Sequence, residues 1–141
     1  MQKTHTTTKQ EKARKAPSAS FSFDSAALMK RLLSAAPERA REVLIRRFGL
    51  GAAPERETLE AIGDRSGITR ERVRQIEAAG LDAIRASKVF KDASSAFEEV
   101  TKYIHSLGAI VPEETLLSAL GKDEKSRNRF RFFLMVNSAF F

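Results

Sequence analysis

The sequence predicts an all-α protein, in which a compact unit of three or four helices at residues 25–87 precedes a second small helical domain at residues 96–141. Two observations support this class. Apolar residues recur at spacings of three and four in several segments, as on the buried face of an amphipathic helix. Pro, Gly and Thr stand at the ends of these segments, where helices begin and end.

Residues 1–24 precede the first clear helical pattern, and we expect them to form a flexible basic tail. Their first 20 residues hold five Lys or Arg side chains, Pro17 and the run Thr6-Thr7-Thr8, but no apolar periodicity. Such a segment cannot bury enough apolar surface to offset the entropy lost on ordering. The tail either contacts the phosphates of a nucleic acid or serves as a charged, solubilising leader.

Two helices are predicted between residues 25 and 49 from their apolar spacing and their boundaries. The first begins at Ser25 and ends before Pro37, which suits the first turn of the next helix because its amide needs no partner there. The second helix ends at Gly49, a residue that readily adopts the left-handed conformation of a helix cap. The apolar residues at helical spacing are Ala26, Leu28, Met29, Leu32, Leu33, Val43, Leu44 and Phe48.

A pair of helices joined by a short turn is predicted next. Thr58 and Thr69 can each cap a helix, since a threonine hydroxyl accepts a hydrogen bond from a backbone amide of the first turn. Gly63 and Gly67 supply the chain reversal between the two helices. This order of helix, glycine-containing turn and second helix is that of the helix-turn-helix motif, which binds DNA.

The second helix of this motif has two distinct faces. At about 100° per residue, Arg70, Glu71, Arg74 and Gln75 fall on one arc. Val73, Ile76, Gly80, Ala83 and Ile84 fall on the opposite arc. A helix fits the DNA major groove, where Arg can bond to guanine, Gln to adenine, and Glu can accept from cytosine. An ordinary amphipathic surface helix with solvated charges would show the same pattern.

Three motifs in this order resemble region 4 of the bacterial sigma factors of the primary type. They are Arg47-Phe48-Gly49-Leu50, Thr58-Leu59-Glu60-Ala61-Ile62-Gly63 and the stretch from Thr69 to Glu77, with a weaker match from Leu81 to Arg85. The resemblance covers roughly residues 37–86. Region 4 is the domain that reads the minus-35 promoter element while docked on the flap of the RNA polymerase beta subunit.

The resemblance implies a DNA-binding set consisting of Thr69, Arg70, Glu71, Arg72, Arg74 and Gln75. Of these, Arg70, Glu71 and Gln75 are expected to read bases, and Arg74 to contact bases or phosphates. Thr69 and Arg72 would lie near the DNA backbone, where contacts position a protein without specifying sequence. Two residues depart from the family pattern. Gly80 costs about 1 kcal/mol of helix propensity, and Asp82 stands where the family tends to be basic.

The partners that the resemblance implies are double-stranded promoter DNA and the RNA polymerase core, through its beta flap. Some of Phe48, Leu50 and Leu59 could face that flap, although packing in the core is the simpler interpretation. The aromatic-rich region with which sigma factors open promoters has no counterpart here, and we expect no transcription initiation by this chain alone. Two alternatives remain open: a protein-interaction module that binds the flap or another regulator without reading bases, and a stand-alone repressor or activator.

The core predicted for the first unit consists of Leu28, Leu32, Val43, Leu44, Phe48, Leu59, Ile62, Val73, Ile76 and Ile84. After a linker at residues 88–95, a second apolar pattern predicts three short helices, as in a small helical or winged-helix domain. Its apolar residues are Phe97, Val100, Tyr103, Ile104, Leu107, Leu116, Leu117, Leu120, Phe130, Phe133, Leu134 and Val136.

The chain stops on the apolar run Ala139-Phe140-Phe141. Because exposed aromatic surface favours association, we expect either a fragment cut before a wing or a later domain, or a C-terminus docked into a partner. Arg127, Arg129 and Arg131 are candidates for a second contact with nucleic acid or polymerase, or else a solvated basic edge.

Composition argues against several other classes of protein. Cys is absent and the two His residues are far apart, so no metal site is predicted. No phosphate-binding Gly-rich loop or catalytic motif occurs, and we expect neither an enzyme, a cofactor nor a small-molecule substrate. No apolar run approaches the roughly 18–20 residues of a membrane helix. Without a secretory signal pattern, the expected location is the cytoplasm.

The net charge of +7 is unevenly distributed along the chain. Residues 1–35 hold seven basic side chains against two acidic ones, whereas residues 36–87 hold ten against nine. The helix-turn-helix unit is therefore almost neutral. Its DNA affinity should depend on the local placement of Arg70, Arg72 and Arg74 and on the basic tail, and it should weaken with salt.

Overall fold

The computed structural model describes residues 19–108 and 110–137, and within these residues the chain forms eight α-helices and no β-strand. The predicted all-α class is confirmed. The helices are α1 Ser25–Ser34, α2 Glu38–Phe48, α3 Leu59–Ser66, α4 Arg70–Arg85, α5 Lys88–Asp92, α6 Ser94–Ser106, α7 Glu113–Leu120 and α8 Glu124–Val136. The predictions for residues 1–18 and for Ala139-Phe140-Phe141 lie outside the described residues.

The boundaries of the first two helices follow from local capping. Asp24 caps α1 by accepting hydrogen bonds from the amides of Ala26 and Ala27, at 3.0 and 3.3 Å. Helix α2 begins directly after Pro37 and ends at Gly49, which has the predicted left-handed conformation, with φ of 66°. A Cβ at Gly49 would clash with the carbonyl oxygen of Pro54, so no side chain has room there.

The last helix of the described chain lies in the core of the first unit. Helix α8 contacts α1, α2 and α4 as well as α7, and its Phe132 and Phe133 are completely buried. Residues from both predicted domains share one hydrophobic cluster. The buried members of the predicted core are Leu28, Leu32, Val43, Leu44, Phe48, Ile62, Val73, Ile76 and Ile84, and Leu59 is half-buried.

The segment predicted as a linker, residues 88–95, is largely helical. Ser87 caps α5 by accepting a hydrogen bond from the amide of Phe90 at 3.2 Å, and Ala93 is buried in the shared cluster. The sequence interpretation missed this helix because its five residues are too few to show a period. The division into two domains stays a prediction, although no extended connection separates α4 from α6.

Residues 19–24, predicted as the end of the tail, pack against the helices. The ring of Phe21 lies 5.5 Å from that of Phe130, and the ring of Phe23 lies 6.4 Å from that of Phe133. The amide of Ala19 also donates to the carbonyl of Ala119 at 2.9 Å. Two phenylalanines bury enough apolar surface to order this stretch, so the tail as predicted extends too far toward α1.

Among the described residues, no helix combines the length and the apolar character needed to cross a membrane.

Candidate nucleic-acid interface

Helices α3 and α4 form the predicted helix-turn-helix, and threonines cap both. The hydroxyl of Thr58 accepts from the amide of Ala61 at 3.1 Å, and that of Thr69 accepts from the amide of Arg72 at 3.0 Å. Gly67 ends α3 in the left-handed conformation, with φ of 69°. A Cβ at Gly63 would lie 2.7 Å from the carbonyl oxygen of Ile68, so glycine permits the tight turn between the helices.

Helix α4 buries its aliphatic side and exposes its polar side. Val73 and Ile84 are completely buried, Ile76 and Gly80 are buried, and Ala83 is half-buried. Every predicted DNA-binding residue is exposed: Thr69, Arg70, Glu71, Arg72, Arg74 and Gln75. The chain itself therefore leaves this reading face, defined as those six residues, open to a partner.

Within the reading face, four of the side chains pair with one another. Arg74 donates to both carboxylate oxygens of Glu71, through Nε at 2.9 Å and Nη2 at 2.6 Å. Arg72 donates to the side-chain oxygen of Gln75 at 3.3 Å. Arg70 makes no hydrogen bond or salt bridge with any described residue, so its guanidinium is the most available group for a base.

The Glu71–Arg74 pair keeps both groups charged. The hydrogen bond from Arg74 lowers the pKa of Glu71, and the same hydrogen bond raises the pKa of Arg74. Both side chains are more than half exposed, so the pair adds little stability to the fold. Opening the pair to contact DNA therefore costs little, and the pair can also bind bases as a unit.

A partly buried ion pair joins α4 to α2, with 36% of the Arg47 side chain and 17% of the Glu77 side chain exposed. Nε of Arg47 lies 3.2 Å from a carboxylate oxygen of Glu77, on the side of α4 that faces the core. Burial raises the pKa of Glu77, and the charge and hydrogen bond of Arg47 oppose that rise. In the sequence, Arg47 and Glu77 stand out only as parts of the motifs similar to sigma region 4. Their pairing was missed because they lie 30 residues apart in sequence.

The two departures from the family pattern each have a contact in the structure. Gly80 lies against α2, where a Cβ would come within 2.8 Å of the Cβ of Ala40. Asp82 pairs with Arg85 at 3.1 Å. Arg85 also donates to the carbonyls of Met135 and Val136, both at 2.7 Å, and thereby ties the end of α4 to the end of α8.

A second tie joins α8 to the loop that leads into α3. The completely buried Asn128 donates through Nδ2 to the carbonyls of Gly49 and Pro54, at 3.1 and 2.9 Å. Its Oδ1 accepts from Arg131 at 2.8 Å. This residue was missed by the sequence interpretation. No local sequence pattern marks it as buried, because its neighbours Arg127 and Arg129 are polar as well.

The apolar residues considered for a polymerase contact are largely occupied within the fold. Phe48 is buried, and its ring lies 5.6 Å from that of Phe132. Leu50 and Leu59 are half-buried and pack against the core. Packing is thus the main role of these three residues.

Helices α3 and α4, joined by the turn at Gly67, define the class as a helix-turn-helix domain. More specifically, residues 32–86 match the family model described as Sigma-70, region 4. This match confirms the resemblance to sigma region 4 for that part of the chain. The fused second domain at residues 96–141 stays a prediction.

Curated relatives that align with the chain include two sigma factors. The chain is 51% identical over 57 residues to the RNA polymerase sigma factor RpoS of Coxiella burnetii (strain RSA 493 / Nine Mile phase I), an alignment that covers 40% of this chain and 16% of that protein. It is 47% identical over 64 residues to the RNA polymerase sigma factor SigA of Bacillus sp, which covers 43% of this chain and 17% of that protein. No solved structure matches. The chain therefore spans only a small part of these relatives.

Proposed function

We propose that the helix-turn-helix unit at residues 25–87 recognises double-stranded promoter DNA of the minus-35 type, with α4 in the major groove. One observation carries this proposal: six side chains suited to DNA form an open face on α4 while the aliphatic side of the same helix is sequestered. The similarity of residues 32–86 to sigma region 4 supports the promoter element as the target.

Each residue of the reading face has a proposed role. Arg70 and Gln75 read bases, since Arg pairs bidentately with guanine and Gln with adenine. Glu71 reads a cytosine amino group, and Arg74 contacts a base or a phosphate once it separates from Glu71. Thr69 and Arg72, at the start of the helix, contact the DNA backbone and set the position of α4 in the groove.

We further propose contact with the RNA polymerase core through its beta flap. The relatives are both RNA polymerase sigma factors by name, which supports this partner. Because Phe48 is covered by Phe132, the apolar part of such a contact would use the exposed fractions of Leu50 and Leu59. The protein would act in transcription initiation or in its regulation.

Selection of bound duplexes from a random pool, with and without polymerase core, tests both parts of the proposal. We expect enrichment of a minus-35-like sequence. Arg70→Ala and Gln75→Ala should each reduce the preference for that sequence by about 1–3 kcal/mol, the usual cost of a lost bidentate contact. Arg39→Ala is the matched control, because Arg39 is exposed on α2 outside the reading face.

The outcomes also separate the alternatives. A parent protein that binds polymerase but selects no sequence would be a protein-interaction module. Strong enrichment of an unrelated operator, independent of polymerase, would indicate a stand-alone repressor or activator. Retention of full selectivity by both Arg70→Ala and Gln75→Ala would contradict base reading by α4.

A further inference from the structure

A second basic site lies away from the reading face, in an open cleft of about 560 Å³ between three parts of the chain. Arg56 enters it from the loop between α2 and α3, and Arg127 and Arg131 enter it from α8. Glu113 and Glu114, in the first turn of α7, line the same cleft. Residues distant in sequence are thus brought together around one solvent-filled space.

The three guanidinium groups retain most of their hydrogen-bonding capacity. Arg56 makes no hydrogen bond or salt bridge with any described residue. The guanidinium of Arg127 makes only long hydrogen bonds, to the carbonyls of Gly121 and Lys122 at 3.5 and 3.4 Å. Arg131 uses one of its five N–H groups on Asn128. The remaining N–H groups are available to an anion.

The carboxylates of the cleft do not neutralise these arginines directly. Within residues 19–108 and 110–137, neither Glu113 nor Glu114 forms a salt bridge with an arginine, and both are exposed to solvent. Burial and then the positive charge of Arg56 lower the pKa of Arg131, whereas the negative charges of Glu113 and Glu124 oppose this shift. Two like charges therefore face one space, and a bound anion would relieve their repulsion. With two carboxylates nearby, the cleft suits a single anionic group better than a highly charged ligand.

The position of Arg56 connects this cleft with the helix-turn-helix. Arg56 precedes Thr58, the N-cap of α3, by two residues, or at most about 7 Å of extended chain. In helix-turn-helix proteins the first helix of the motif crosses the DNA backbone. The hydrogen bonds of Asn128 to the loop carbonyls hold this loop against α8, so Arg127 and Arg131 are kept on the same side as Arg56.

We propose that the cleft formed by Arg56, Arg127 and Arg131 binds one backbone phosphate of the DNA, outside the base pairs contacted by α4. This inference rests on the proposed function, because it requires DNA to lie on the reading face. The C-terminal helix α8 then contributes a contact that fixes the position of the duplex without reading its sequence. Arg129 is not part of the site, since it donates to Ser25 at 2.9 Å.

The double variant Arg56→Gln/Arg127→Gln tests the site while leaving Arg131 bound to Asn128. Binding to the selected duplex is measured over a range of salt concentrations. Loss of one phosphate contact should lower the slope of log K against log salt by about 0.9 and weaken binding by about 3- to 10-fold at low salt. The sequence preference should not change. The control, Arg39→Gln/Lys125→Gln, removes the same charge from exposed positions that do not line the cleft.

A duplex in which single phosphates are replaced by neutral methylphosphonates locates the contact. In the parent protein, we expect neutralisation of one phosphate beyond the recognised base pairs to weaken binding, and this effect should vanish in the double variant. Equal salt slopes for the double variant and the control would overturn the inference, even if sequence selectivity remains. If the parent protein shows no sequence selectivity, the proposed function is wrong instead.

Inorganic phosphate alone distinguishes a DNA contact from a site for a free anion. We expect millimolar phosphate to leave the arginine Nε–H resonances of the parent protein unshifted, because a lone anion lacks the other contacts of the duplex. Two results together would make the cleft a free-anion site and the inference wrong. Phosphate would shift the arginine resonances in the parent but not in the double variant, and the double variant would bind DNA as tightly as the parent.

Discussion

Gly80 of α4 packs closely against Ala40 and Leu44 of α2, and replacing it with Ala tests that packing. In an isolated helix, Gly→Ala would stabilise by about 1 kcal/mol. In this protein the new Cβ would lie 2.8 Å from the Cβ of Ala40 and 3.3 Å from the Cδ1 of Leu44. The first distance is about 0.7 Å shorter than an ordinary carbon–carbon contact of ~3.5 Å, and it involves an atom fixed to the backbone of α2.

Relief of this clash requires α2 and α4 to separate, at a cost typical of overpacking, about 1–3 kcal/mol. The cost exceeds the propensity gain, so we expect Gly80→Ala to lower the free energy of unfolding by about 1 kcal/mol. In an Ala40→Gly background the clash is absent. There the same substitution should stabilise by up to about 1 kcal/mol, which gives a coupling of about 2 kcal/mol between the two positions.

Urea unfolding of the parent, the two single variants and the double variant, followed by circular dichroism, measures this coupling. The reasoning would be refuted if Gly80→Ala stabilised the parent protein, or if the two substitutions were additive. Either result would mean that α2 and α4 do not meet at Gly80, and that the orientation of the reading face relative to α2 differs from that in the structure.

Two further predictions concern the contacts that position α4 and the loop before α3. Asn128→Ala should lower the free energy of unfolding by about 1–3 kcal/mol, because one buried and one partly buried loop carbonyl lose their donor. Urea unfolding measures the change, with the exposed Lys125→Ala on the same helix as control. Glu77→Gln should change the pH dependence of stability. Because burial raises the pKa of Glu77 in the folded protein, its contribution to stability falls as pH rises through and above the usual carboxyl range. In thermal melts, the Glu77→Gln variant should therefore gain stability relative to the parent as pH rises from acid to neutral. A stability difference that does not change with pH would contradict a desolvated carboxylate at Glu77. An Asn128→Ala variant as stable as the parent would contradict a stabilising role for the hydrogen bonds of Asn128.

The features predicted correctly from the sequence are those encoded by neighbouring residues. The caps at Thr58 and Thr69 depend on a hydroxyl and an amide three residues apart, and the left-handed cap at Gly49 depends on one residue. The division of α4 into two faces depends on helical periodicity alone. Each of these signals lies within one or two turns, so the rest of the chain need not be known.

The features that were missed depend on contacts between distant residues. Phe21 and Phe23 look like part of a polar tail until the rings of α8 are placed beside them. Asn128 looks like a mid-helix polar residue until the loop carbonyls are found opposite its amide. No local sequence pattern indicates which helices pack against each other, so the shared core could not be predicted from the sequence.

These distant contacts bear on the helix-turn-helix itself. The segment similar to sigma region 4 ends at residue 86. Both ends of its helix-turn-helix are nevertheless attached to α8. Asn128 of α8 binds the loop before α3, and Arg85 at the end of α4 binds the end of α8. The face of α2 that carries Phe48 is covered by Phe132. Rigid placement of the reading face limits the entropy lost on binding DNA. In the proposed function, the residues after 86 would therefore contribute to recognition by holding α3 and α4 in place, whether or not they contact DNA.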